Sequence, residues 1–102
     1  MKKVILRIDG KAYEKAEPTV KDWFNYQEYV QAIHRKNVVL DKDAAIATVQ
    51  VVAEYVGLTA EDLLKSDLDL SEMLAAYQDI QANILECFSS TSKQGGASAR
   101  KN

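Results

Sequence analysis

The segment Asp43–Gly57, DAAIATVQVVAEYVG, carries the widest apolar pattern in the chain. Ala45, Ile46, Val49, Val52, Ala53 and Val56 recur at i, i+3 and i+4, the spacing that lines one helix face. Ala44, Val51 and Tyr55 widen that face and leave Gln50 and Glu54 as the main polar pair. A surface this wide needs cover from more than one side, so the segment is expected to be the central core helix. Asp41 or Asp43 is placed to cap its start, and Gly57 to stop it with a positive φ.

Upstream the period changes. Val4, Leu6 and Ile8 alternate with Ile5 and Arg7, and a second short run, Ala12–Lys15, follows Asp9-Gly10-Lys11. Asp-Gly between two alternating runs predicts a β-hairpin, because Gly tolerates the turn's positive φ. A lone hairpin is marginal, so it must pack on a helix. Pro18 ends the hairpin region. Thr19 with Asp22 then reads as a capping box opening a helix to about Lys36. Its buried stripe is Val20, Trp23, Tyr26, Val30 and Ile33, with Tyr29 beside it and Phe24 pointing elsewhere, most simply over the hairpin. Val38, Val39 and Leu40 are expected to tuck under the domain.

Downstream, Thr59 with Asp62 predicts a short helix burying Leu63 and Leu64. A terminal helix starts after Asp69 or Ser71, with a stripe of Leu70, Met73, Leu74, Tyr77, Ile80, Ile84 and Phe88. Leu85 and Cys87 flank it. This helix is expected to be the main partner of the central one. From Ser89 the sequence SSTSKQGGASARKN holds nothing apolar larger than alanine, so a disordered basic tail is expected over 89–102. The fold class is therefore mainly α with a small N-terminal β-hairpin (α+β). One compact domain of three to four helices spans 1–88.

A chain of 102 residues supports one core. One cysteine, Cys87, makes no internal disulfide, which fits a reducing cytoplasm. Lys2 and Lys3 precede only Val4-Ile5-Leu6, too short a run for a signal peptide, and no apolar run is long enough for a membrane span. The net charge of −2 is unevenly spread. Residues 1–40 carry eight Lys/Arg against five Asp/Glu, residues 41–88 two against ten, and residues 89–102 three against none. That split is most simply a solvated acidic surface with carboxylates at helix N-termini, and it would also suit self-association or a basic partner. It leaves the folded core without the basic stripe that nucleic acid requires.

No catalytic, cofactor or metal constellation is legible. His34 is the sole histidine, near a helix C-terminus that favours its charged form. No second His or Cys stands at metal-ligand spacing. Asp62, Asp67, Asp69 and Glu72 alternate with leucines and lack the central Gly of a calcium loop, so capping explains them better. Phe24 and Tyr29, with the acidic rim Asp67, Asp69 and Glu72, are the side chains that the core stripes do not claim. They are the expected protein-binding surface.

The order KVILRIDGKAYE, EPTVKDWFNYQEY, a helix ending AEYVG, and then LTAEDLLKSDLDLSEMLAAYQDI resembles the tail assembly chaperones of long-tailed bacteriophages and Gram-positive prophages. The resemblance covers about residues 4–86. It implies a non-enzymatic protein of the host bacterial cytoplasm, without cofactors, whose partners are the tape-measure protein and the tail-tube protein. It also implies that this is the short form, with a longer form made by frameshifting near its end. The alternative reading of the residues is a small cytoplasmic regulatory or adaptor protein that binds protein or nucleic acid.

Overall fold

The computed structural model describes residues 1–34, 36–37 and 39–94. The chain opens with an antiparallel hairpin of β1 (Val4–Ile8) and β2 (Lys11–Lys15), in the register Ile8↔Lys11 through Val4↔Lys15. Asp9 and Gly10 form the two-residue turn with φ of 51° and 79°. Positive φ at both positions is the type I′ signature that matches strand twist. Val4, Leu6 and Ile8 point inward and are buried, while Ile5 and Arg7 face out.

Four helices follow: α1 (Val20–Ile33), α2 (Lys42–Tyr55), α3 (Ala60–Leu64) and α4 (Leu70–Gln94). The capping box of α1 forms as expected, with Asp22 N–H donating to Thr19 Oγ1 and Thr19 N–H to Asp22 Oδ2. Asp41 caps α2. At its other end Leu58 N–H donates to Ala53 C=O and Gly57 N–H to Glu54 C=O, with Gly57 at φ 88°. That is the Schellman arrangement, and a Cβ at position 57 would be strained by the φ alone. Thr59 and Asp62 form a second capping box on α3. The Thr59 backbone N–H, donating to the Asp62 carboxylate, holds its pKa below the ordinary value.

The α2 helix is central, packed by α1, α3 and α4, but its most extensive partner is α1 rather than α4. The α4 helix is shared between α2 and β1, so the hairpin is covered by packing. Buried on α2 are Ala44, Thr48, Val51, Val52, Ala53 and Tyr55. The expected stripe was therefore turned about the helix axis: Ala45 is exposed and Ile46 is 43% exposed. The same happens on α1, where Asp22, Asn25 and Tyr29 point inward while Val20 and Val30 do not. Polar groups can occupy these inward positions because each finds hydrogen-bond partners there.

Several further expectations are corrected. Val39 and Leu40 are exposed rather than tucked under, and Val38 lies outside the described residues. Leu64 is exposed while Leu63 is buried. Helix α1 ends at Ile33, with His34 as its C-cap, short of Lys36. Helix α4 continues past Phe88 to Gln94, and the rest of the expected tail, 95–102, lies outside the described residues.

Candidate functional site: two apolar surfaces and a polar hub

A polar hub joins three elements at the centre of the molecule. Asn83 sits in the middle of α4 with 1% exposure. Its Oδ1 accepts from Lys2 N–H at 2.9 Å, and its Nδ2 donates to Lys2 C=O at 2.8 Å. The side-chain amide thus pairs with backbone next to β1 as another strand would. Nδ2 also reaches Ala16 C=O at 2.9 Å and the Tyr55 hydroxyl at 3.1 Å, and that hydroxyl donates to Ala16 C=O. Burial pushes the Tyr55 phenol pKa above its ordinary value.

Beside the hub, Lys15 Nζ donates to Asp22 Oδ2 at 2.6 Å and lies 4.5 Å from the Tyr55 ring centroid. Asp22 is 2% exposed, so this carboxylate is satisfied by Thr19 and Lys15 rather than by water. Sequence reading took Asp22 as a cap and missed Asn83. The available signal was an Asn on the inward face of a helix, three residues from Ile80.

The charge split is partly consumed within the fold. Lys2 meets Asp79, Lys21 meets Glu54 and Lys36 meets Asp41, at 3.6, 3.0 and 3.7 Å. Partial burial would raise the Glu54 pKa, but the hydrogen bonds from Lys21 and Asn25 outweigh it and hold the carboxylate below its ordinary value. Tyr26, Tyr29 and Tyr77 form a ring cluster between α1 and α4, the closest pair at 4.7 Å. Burial first, then the neighbouring phenols, pushes the Tyr77 phenol well above its ordinary range.

The residues expected to bind a partner do not form one surface. Tyr29 is buried in the tyrosine cluster, which corrects its placement as a free anchor. Phe24 is 59% exposed and stacks on Trp23 at 5.5 Å, so it does not cover the hairpin. Trp23 in turn meets Phe88 near the far end of α4. Asp67, Asp69 and Glu72 lie at the opposite end, about 24 Å away by helical rise between Glu72 and Phe88. Asp67 accepts from Asp9 N–H at 3.2 Å and so steadies the hairpin turn. Asp69 C=O receives the Met73 N–H, the first helical bond of α4. All three carboxylates remain exposed.

An apolar groove of about 480 Å³ opens between α2, α3 and the start of α4. Ala45, Thr48 and Val49 form one wall, and Leu70, Met73 and Leu74 the other, each at i, i+3, i+4 spacing. Leu63, Leu64 and Leu68 close one end, and Val39 reaches in from the α1–α2 connection. The two hydroxyls on its surface are spent locally: Thr48 Oγ1 donates to Ala44 C=O and Ser66 Oγ to Leu63 C=O. Glu72 stands about 160° around the α4 axis from Leu74, on the other flank.

A smaller cleft of about 190 Å³ lies at the far end, lined by Trp23, Ile84, Cys87 and Phe88. Cys87 is a half-buried free thiol. Among the described residues no group of His, Cys, Asp and Glu side chains is clustered as a metal would need, and no helix is long and apolar enough to cross a membrane. Searches of protein-family models, curated proteins and solved structures return no match to the chain.

Proposed function

We propose that the chain is a tail assembly chaperone of the short form, which binds the tape-measure protein without catalysis and helps bring tail-tube subunits to it. The observation that carries this reading is the groove between α2, α3 and α4. Two walls with apolar side chains at helical spacing, and no free hydroxyl between them, suit the apolar stripe of an incoming amphipathic helix. A small polar ligand would find nothing there to orient it, since such sites add a few convergent polar groups. Leu64 and Leu70 are each 68% exposed, so they are free to cover a partner's side chains. The resemblance of residues 4–86 supplies the identity of that partner.

Co-purification of the full chain with a helical tape-measure fragment tests the reading. The double variant Leu64→Asp, Leu70→Asp is expected to lose at least tenfold in recovered complex while keeping the wild-type melting temperature within a few degrees. A tenfold loss is about 1.4 kcal/mol, a modest demand on two apolar anchors. No capture by the wild-type chain, or undiminished capture by the variant, would overturn it.

A further inference from the structure

We propose that the outer face shared by α1 and α4 is a self-association surface, on which a second copy of this chain docks about a two-fold axis. This goes beyond the chaperone reading and does not depend on it.

The α4 helix has two edges with different chemistry. Glu72, Asp79 and Glu86 recur every seven residues and lie along one edge, toward the hairpin. Asp79 meets Lys2 there, and Glu86 meets the Met1 amino group at 3.5 Å. On the other edge Leu74, Gln78, Gln81, Leu85 and Phe88 follow a four–three–four–three spacing, the period of a helix-pairing seam. Leu74, Leu85 and Phe88 are 43%, 53% and 50% exposed.

Helix α1 extends this surface. It runs antiparallel beside α4, with Tyr29 against Tyr77, Gln81 Nε2 donating to the Tyr26 hydroxyl, and Trp23 against Phe88. Its outward positions beside that contact line are Val20, Phe24, Gln27 and Val30. No position of either stripe carries a charge, although charged residues are 27% of the chain.

Three observations select a second copy as the occupant. In a two-fold interface each surface meets itself, so any charge near the axis approaches its own kind, and two stripes without charge avoid that cost. The exposed Gln27 and Gln78 amides carry both donor and acceptor, so each can pair with the same group on the other copy, while Gln81 is engaged by Tyr26. The size also fits. Leu70 to Phe88 spans about 27 Å and α1 about 21 Å, and each helix is about 10 Å wide, giving a flat footprint of roughly 480 Å² per copy. Specific complexes begin near 600 Å² per partner, and side-chain relief adds to the flat figure. The nearest charge is Glu28, which lines a hollow with Trp23, Phe24 and Gln27 at the outer margin of the surface, one helical turn from Phe24.

Sedimentation velocity of the full chain over a wide concentration range, at low salt and at about 1 M salt where screening acts over about 3 Å, tests the proposal. The expected result is a monomer–dimer equilibrium whose dimer fraction is the same at both salts. Gln78→Glu and Leu85→Glu, both at exposed positions, should each shift the midpoint at least tenfold toward monomer with an unchanged circular-dichroism spectrum. Glu72→Lys on the opposite edge should not shift it. A monomer at every concentration, a dimer that dissociates in salt, open-ended polymers, or a dimer undiminished in both edge variants would each overturn the proposal. Leu70 and Leu74 belong to both surfaces, whereas Gln78 and Leu85 line no part of the groove, so their variants break the self-association surface and leave the capture experiment on the groove independent.

Discussion

Along one edge of α4, Asp79 and Glu86 face Lys2 and the amino terminus, and just inside them Asn83 binds the backbone of Lys2 and Ala16. Along the other edge, Leu74, Leu85 and Phe88 stand half exposed with glutamines between them. One edge uses polar groups to close the chain on itself, and the other uses apolar groups and leaves them open. Hydrophobicity alone does not tell inside from outside in this molecule. Buried polar groups here are fully partnered, which removes the usual cost of placing them inside. Substitutions on the two edges should therefore have opposite profiles: large effects on folding from the first, and almost none from the second.

The largest effect is expected at Asn83. Asn83→Ala removes both bonds to Lys2 and leaves Ala16 C=O with the Tyr55 hydroxyl alone. Losing a buried group with several partners costs about 2–3 kcal/mol. For a domain of this size that lowers the melting temperature by roughly 10–15 °C. Calorimetry checks the figure, and hydrogen exchange should show protection lost first at β1.

Next comes Asp22. Asp22→Ala deletes half of the α1 capping box and leaves Lys15 without its carboxylate. Lys15 retains 30% side-chain exposure and can turn to water, so the cost is that of the cap plus a partial charge penalty, about 1–2 kcal/mol. Lys15→Met in the Asp22→Ala background should recover part of it. A double-mutant cycle with no coupling would separate the cap from the ion pair.

The difference between the edges also explains what the sequence made legible. Turns and caps are local devices, and Asp9-Gly10, Thr19/Asp22, Asp41, Gly57 and Thr59/Asp62 all stand where the residue types placed them. The facing of the helices was less legible, because apolar residues cover more than half the circumference of α2 and of α4. With so wide a stripe the period of 3.6 still predicts a helix but not its rotation. What fixes the rotation is long-range: Asn25 Nδ2 to Glu54 Oε1 between α1 and α2, and Asn83 to Lys2 across 81 residues. The same lack of rotation information misplaces individual side chains. The pattern leaves Tyr29 beside the buried stripe although its ring packs against Tyr77, and puts Leu74 and Phe88 on a buried stripe although they are half exposed.

A pH-dependent effect comes from the tyrosine cluster where the two edges' helices meet. Tyr77 has its phenol pKa raised, first by burial and then by its neighbours, so the folded state holds the proton longer than the unfolded chain does. Its contribution to stability is complete below about pH 10 and declines as pH rises above that value, because the unfolded chain ionises there first. Tyr77→Phe should flatten the fall in melting temperature above about pH 10. Tyrosinate absorbance should rise later in the folded wild-type chain than in denaturant.

The smallest stability effect belongs to the open edge. Leu85→Gln removes an apolar side chain that is 53% exposed and makes no buried contact with the central cluster. In a monomer such a change should stay within about 0.5 kcal/mol, and glutamine propagates a helix nearly as well as leucine. Thermal melts at low and high protein concentration turn this small number into a test of the contrast between edges. At low concentration Leu85→Gln and wild type should melt together, whereas at high concentration the wild type should gain stability by mass action and the variant should not. A Leu85→Gln loss as large as that of Asn83→Ala at low concentration would place this edge in the core of the single chain after all, and the difference between the two edges would disappear.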